Sequence, residues 1–189
     1  MLKEKILKIM DENKHLFEKY QDKIIHIIDN ELLSGVNAWI NENHQRNSID
    51  KGISQLTLED NDKILVSDVD EIPDPTQLIK IKNENMDFDK YKLEMDLYYY
   101  NITCRCLEKW IKPEIISYKF YRDTYNCTPE RCRNHDFDKV LSPGGWHLSY
   151  FGDYDYIRNK IEQQAHQEYN FEEIKNDELT KMGFCKLLK

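Results

Sequence analysis

The chain is 189 residues long, enough for one domain with a real core and too short for two of ordinary size. Its formal net charge of -8, from 27 Lys and Arg against 35 Asp and Glu, argues against a general nucleic-acid partner, because phosphate backbones are bound through clustered cations. No stretch approaches the ~20 apolar residues that span a bilayer, and Met1-Leu2-Lys3-Glu4-Lys5 lacks the apolar core of a secretion signal, so one soluble, cytoplasmic domain over 1–189 is expected.

Residues 1–20 carry Ile6, Leu7, Ile9, Met10, Leu16 and Phe17 at helical intervals, and Lys23-Ile24-Ile25-His26-Ile27-Ile28 then reads as a strand. From Trp39 to Leu58, the apolar residues Trp39, Ile40, Ile49, Ile53, Leu56 and Leu58 suit one amphipathic helix leading into the strand Ile64-Leu65-Val66. Strand, helix and strand imply a right-handed parallel crossover, and so an α/β fold.

That strand runs straight into Ser67-Asp68-Val69-Asp70-Glu71-Ile72-Pro73. Pro73 has no N–H to donate, so the ladder is expected to end and the acids to sit in a loop at the strand's C-terminal end, where open α/β sheets bind ligands. Asp68 and Asp70, two apart, can turn both carboxylates toward one hard cation and the oxygens of a phosphate. The plainer reading is a polar turn, with Asp74 or Thr76 capping a helix that begins near Pro75.

A short helix over Thr76–Lys82 follows, then an aromatic-rich strand over Tyr91–Tyr100, with a second strand near Ile115–Tyr121 pairing to it. Pro143-Gly144-Gly145 reads as a turn that places Trp146 to Phe151 on an emerging strand or loop. Tyr154 to Tyr169 has helical composition, and residues 171–189 read as a helical or loose tail. The five cysteines, Cys104, Cys106, Cys127, Cys132 and Cys185, are odd in number and lack C-x-x-C spacing. Free thiols are therefore expected, with a Cys127–Cys132 bridge as the alternative.

Three segments together resemble glycosyltransferase family 17, which contains the β-1,4-mannosyl-glycoprotein β-1,4-N-acetylglucosaminyltransferases and their bacterial and viral relatives. They are Trp39 with Glu42-Asn43-His44-Gln45-Arg46-Asn47, the Ile64–Pro73 string, and Gly144-Gly145-Trp146-His147-Leu148-Ser149-Tyr150-Phe151-Gly152 followed by Lys160-Ile161. The resemblance implies a GT-A-like nucleotide-diphospho-sugar transferase fold, a UDP-GlcNAc donor, a glycan acceptor, an Mn²⁺ or Mg²⁺ ion, and inversion at the anomeric carbon. It also implies a further strand–helix segment ahead of Phe17. Residues 1–16 are accordingly expected to be a shortened remnant, or the chain a fragment.

The chemistry assigns expected roles. A divalent ion would act as a Lewis acid on the leaving diphosphate, held by Asp68 and Asp70 and, as the resemblance implies, by His147. For His147 the alternative is a structural place between Trp146 and Tyr150. Arg46 and Asn47, on the helix before the acidic strand, are donor-binding candidates, since a guanidinium fork suits a phosphate or the aspartates themselves. Their alternative is a solvated helix face. Glu71 has three open roles: taking a metal-bound water, orienting Arg46, or stabilising the turn. Asp96, which interrupts an apolar strand, is the first candidate for the base of an inverting transfer, with Glu94 and Asp153 competing. Trp146, with Tyr98, Tyr99, Tyr100, Trp110 and Tyr150, offers a sugar-stacking face, although strand aromatics are often core. Two other classes stay open: a haloacid-dehalogenase-like phosphatase, which also puts D-x-D after a buried strand, and a non-catalytic nucleotide- or glycan-binding domain.

Overall fold

A computed structural model describes residues 13–29, 31, 37–134, 139–163, 170–172 and 175. A 3₁₀ helix, Lys14–Lys23, is followed by helices α1 (Ala38–Asn47) and α2 (Asp50–Ile53), strands β1 (Lys63–Val66) and β2 (Glu71–Pro73), and helix α3 (Pro75–Asn83). Then come β3 (Lys90–Tyr99), β4 (Arg105–Trp110), β5 (Glu114–Ser117), α4 (Tyr118–Asp123), α5 (Arg131–Asn134), β6 (Val140–Ser149) and α6 (Tyr154–Gln163). The fold is mixed α/β.

One sheet carries all six strands in the order β1-β5-β3-β6-β2, with β4 beside β3. β5 and β4 share one edge of β3, pairing antiparallel with Lys90–Lys92 and with Met95–Tyr98, while β6 lies parallel along its other edge. β1 and β2 stand at opposite ends of this order, yet only residues 67–70 separate them. Five peptide links reach at most about 17 Å, whereas four strand spacings amount to about 19 Å. The sheet therefore curls, and the acidic loop crosses between its ends.

Alternation along β1 and β5 feeds two cores. Val66 and Ile116 pack with Tyr121, Tyr125 and Cys132, and Ile115 packs with Ile81, Phe88, Leu93 and Met95. Asp74 caps α3 by accepting from the Thr76 N–H at 2.8 Å, with Pro75 in the first turn, as the sequence suggests.

Five expectations are corrected. Residues 24–28 form no strand: Ile24 is extended, but the segment joins no ladder, and Ile25 and Ile27 lie instead against Gly52 of α2. The parallel crossover disappears with that strand, and β1 pairs antiparallel with β5. The expected single helix over 39–58 breaks after Asn47, where the Ser48 hydroxyl bonds Asp29 and the His44 carbonyl, the kind of local competition with the helix ladder that serine favours. Gly144 and Gly145 lie within β6 rather than in a turn. A Cβ on Gly144 would fall 2.5 Å from the Glu94 nitrogen, and one on Gly145, whose φ is +132°, would fall 2.1 Å from the Ile72 carbonyl oxygen. Glycine here permits close approach of β6 to β3 and β2 through a register shift between Leu93 and Met95. Likewise Glu71 to Pro73 are not loop but a short strand, β2, whose ladder with β6 ends at Pro73, opposite Gly145. Cys106, Cys127 and Cys132 are free thiols, so the Cys127–Cys132 bridge does not form. Cys185, residues 164–169 of the expected last helix and almost all of the 171–189 tail lie outside the described residues, as do 1–12.

Candidate functional site

The turn between β1 and β2 is built by its own acids. The Glu71 N–H donates to the Asp68 carbonyl at 3.0 Å, closing a β-turn, and the Glu71 carboxylate reaches back to accept from the Asp68 N–H at 2.6 Å. Val69, at the tip, is 98% exposed, and the Leu148 N–H of β6 donates to the Asp70 carbonyl at 2.8 Å. The loop is thus fixed to the sheet at both ends.

Glu71 is only 2% exposed, and every contact it makes is structural. One oxygen accepts from the Trp110 indole, and the other accepts from Arg133 at 2.6 Å as well as from the turn. Of its three expected roles the geometry favours stabilising the turn, and its guanidinium partner is Arg133, not Arg46. Arg133, 7% exposed, spans the turn by also donating to Asp68 Oδ2 at 2.9 Å. Its position follows from the segment before it: Lys92 of β3, fully buried beside Glu114, donates to the Cys132 carbonyl, and Arg133 is the next residue. No local pattern in the sequence marks Arg133, because its two partners lie 62 and 65 residues away.

Arg46 approaches the same turn from α1. It lies 3.6 Å from Asp68 Oδ1, but its closer bonds are to Glu130 at 2.5 Å and Glu42 at 3.0 Å. Asn47 accepts from the Glu130 N–H at 3.0 Å, so its side chain braces the chain before α5. Asp68 is half-exposed. Desolvation raises its carboxyl, Arg133 and Arg46 pull it down, Glu71 and Asp70 push it up, and the net displacement is upward.

Asp70 has a different neighbourhood. Lys160 of α6 donates to its Oδ2 at 2.8 Å, and His147 Nε2 stands 3.6 Å from its Oδ1. Burial works to raise this carboxyl too, yet His147 and Lys160 outweigh it and hold Asp70 well below the usual carboxylate range. His147 is buried on β6 opposite Glu71, its ring 4.4 Å from that of Trp110, and its Nδ1 has no hydrogen-bond partner. Trp110, not Trp146, is therefore the indole against which it packs.

Strand pleating divides the remaining candidates. Residues directly opposite in a ladder share a face. Glu71, His147 and Leu97 are opposite one another on one face, and Ile72, Trp146, Asp96 and Lys109 on the other. Asp96 and Trp146 are thus not gathered with Asp70 and His147. Asp96 is bound by Lys109 and, at 2.6 Å, by Arg105; desolvation opposes the shift, but these cations lower its carboxyl. The competing acids are also engaged, Glu94 accepting from Ser142 at 2.8 Å and Asp153 capping α6 through the Tyr156 N–H at 2.9 Å.

A divalent ion fits this loop in part. Asp70 and His147 offer an oxygen and a nitrogen facing one another, a donor pair suited to Mn²⁺, while Asp68 is turned toward Arg133 and Arg46. Among the described residues, the one set of three His, Cys, Asp or Glu ligand atoms within 4.8 Å of one another is Asp29, Glu31 and His44, away from this turn in sequence. Two protein ligands are enough where substrate phosphates and water complete the sphere.

The mixed α/β fold thus carries an acidic turn at the end of β1, with arginine, lysine and histidine around its carboxylates. The chain belongs to glycosyltransferase family 17, whose family model matches residues 3–186. It is by that membership a glycosyltransferase, with a sugar donor and a glycan acceptor as its partners. No curated protein and no solved structure matches it. Among the described residues, no helix is long and apolar enough to cross a membrane.

Proposed function

We propose that this chain moves N-acetylglucosamine, or a related sugar, from a UDP-sugar to a glycan hydroxyl, with inversion and with the help of Mn²⁺ or Mg²⁺, on a GT-A-like framework. The observation that carries the reading is the half-buried Asp70 carboxylate, set between Lys160 and His147 at the β2 end of the acidic turn. In the transfer, the acceptor oxygen forms a bond to the anomeric carbon as the bond from that carbon to the phosphate oxygen breaks. The electron pair leaves with UDP, and the hydroxyl proton passes to a base.

Asp70 and His147 would hold the ion, which supplies Lewis-acid stabilisation of the departing diphosphate when bound. Arg133 and Glu71 keep the turn rigid and Asp68 in place, so that little reorganisation is needed as charge develops. Arg46, at the rim, supports Asp68 and lies within reach of a phosphate. Family membership leaves the phosphatase alternative without support.

The test is a thermal-shift panel of UDP- and GDP-sugars with and without Mn²⁺, because a ligand that binds only the folded state raises its melting temperature. UDP-sugars should shift the transition only with the ion present. A shift by GDP-sugars alone, or by no nucleotide, would count against the reading, and UDP binding without any turnover of UDP-GlcNAc would reduce the chain to a binding domain.

A further inference from the structure

Lys160 differs from the other cations of the site. Arg133 is locked between Glu71 and Asp68, and Arg46 is shared among Glu130, Glu42 and Asp68, so neither can leave without stranding acids. Among the described residues, Lys160 has one carboxylate partner, Asp70 Oδ2 at 2.8 Å, and it is partly open to solvent. It sits beside Ile161 and three residues from Ile157, the two buried residues of α6, so its stem leaves the packed face of the helix. Its Nζ stands 5.0 Å from the centroid of the Tyr150 ring. A lysine head is a compact point charge on a flexible four-carbon stem, suited to changing partner.

Asp70 is also the carboxylate best placed for a divalent ion, and an ion there would stand close to the ammonium, which like-charge repulsion would drive away. We propose that Lys160 is a movable counter-ion: it neutralises Asp70 in the free protein and transfers to the donor's diphosphate when a divalent cation takes Asp70. The inference rests on the transferase reading above. It gives the site one cation that competes with the metal before the nucleotide arrives and binds the nucleotide afterwards.

Opposite signs distinguish this role from a structural one. In Lys160→Met, which keeps most of the apolar stem, Mn²⁺ titrated alone and followed by its EPR signal should bind several-fold more tightly than in the wild type. UDP titrated calorimetrically at saturating Mn²⁺ should bind about tenfold more weakly, the loss of roughly one charge-assisted contact. Lys160→Arg, which retains the charge, should keep UDP affinity close to the wild-type value. Parallel weakening of both ligands in the Met variant, or no change in either, overturns the proposal. If the Met variant fails to fold, Lys160→Gln is titrated in its place, with the same two signs required. A wild-type chain that takes up no UDP with Mn²⁺ overturns the transferase site itself, whereas wild-type uptake with an indifferent Met variant overturns only the lysine's part.

Discussion

The two faces of the sheet around β3, β6 and β2 carry similar chemistry in different surroundings. On one, Glu71 meets Arg133 and the Trp110 indole, with His147 alongside; on the other, Asp96 meets Lys109 and Arg105, with Trp146 alongside. Residue types alone would rank the two acids as equals. Glu71 is almost sealed from water, however, whereas Asp96 and both its partners face solvent. The same ion pair constrains a structure strongly where water is excluded and weakly where water competes.

The largest expected effect breaks the inner set. Arg133→Met leaves Glu71 buried without its cation and frees Asp68, and should lower stability by about 3–5 kcal/mol, read as a lower urea midpoint at unchanged slope. Next is Asp70→Asn, which weakens the bond to Lys160 and removes the charge facing His147 at a half-buried position, and should cost about 1–2 kcal/mol. Asp70→Ala should in addition abolish Mn²⁺-dependent UDP binding while circular dichroism shows the fold intact, and an unchanged UDP titration would remove Asp70 from the site.

Acidification sharpens the comparison between the two aspartates of the turn. The folded-state pKa of Asp70 is depressed, so its contribution is fully present above its unfolded value of about 3.9 and is lost as pH falls through the lower folded value. The stability gap between wild type and Asp70→Asn should therefore shrink on going from neutral pH to strong acid. Asp68 is raised, so its contribution is present below the unfolded value and lost as pH rises through the folded one; the gap for Asp68→Asn should move the other way, and by less, because its carboxylate is half-exposed. The smallest effect belongs to the outer face. Asp96→Asn should change stability by about 0.2–1 kcal/mol and leave UDP affinity untouched. A loss of transfer with UDP binding preserved would make this outer face the acceptor side and restore Asp96 as the base.

Much of the frame was legible in the sequence. The Ile64–Val66 strand, the Pro75 helix start with its Asp74 cap, the aromatic strand from residue 90 and the helix from Tyr154 all follow from patterns a few residues long, which local sterics and alternation decide. Residues 24–28 misled because a short apolar run fits a strand or any buried extended segment equally well, and only a ladder partner separates them. Gly144-Gly145 misled because the need for glycine came from the backbones of Glu94 and Ile72 pressing on β6, which no local window contains.

What the chain determined by itself is an acidic turn behind a buried strand and, through three separated strings, membership of a family of sugar transferases. Only the tertiary structure decided what surrounds those acids. Arg133, Trp110 and Lys160 arrive from 65, 39 and 90 residues beyond their partners Asp68, Glu71 and Asp70, and strand register puts His147 on one face while its neighbour Trp146 takes the other. Charge pairing and burial are properties of distance in space, and the curled sheet is what converts long separations along the chain into contacts of about 3 Å.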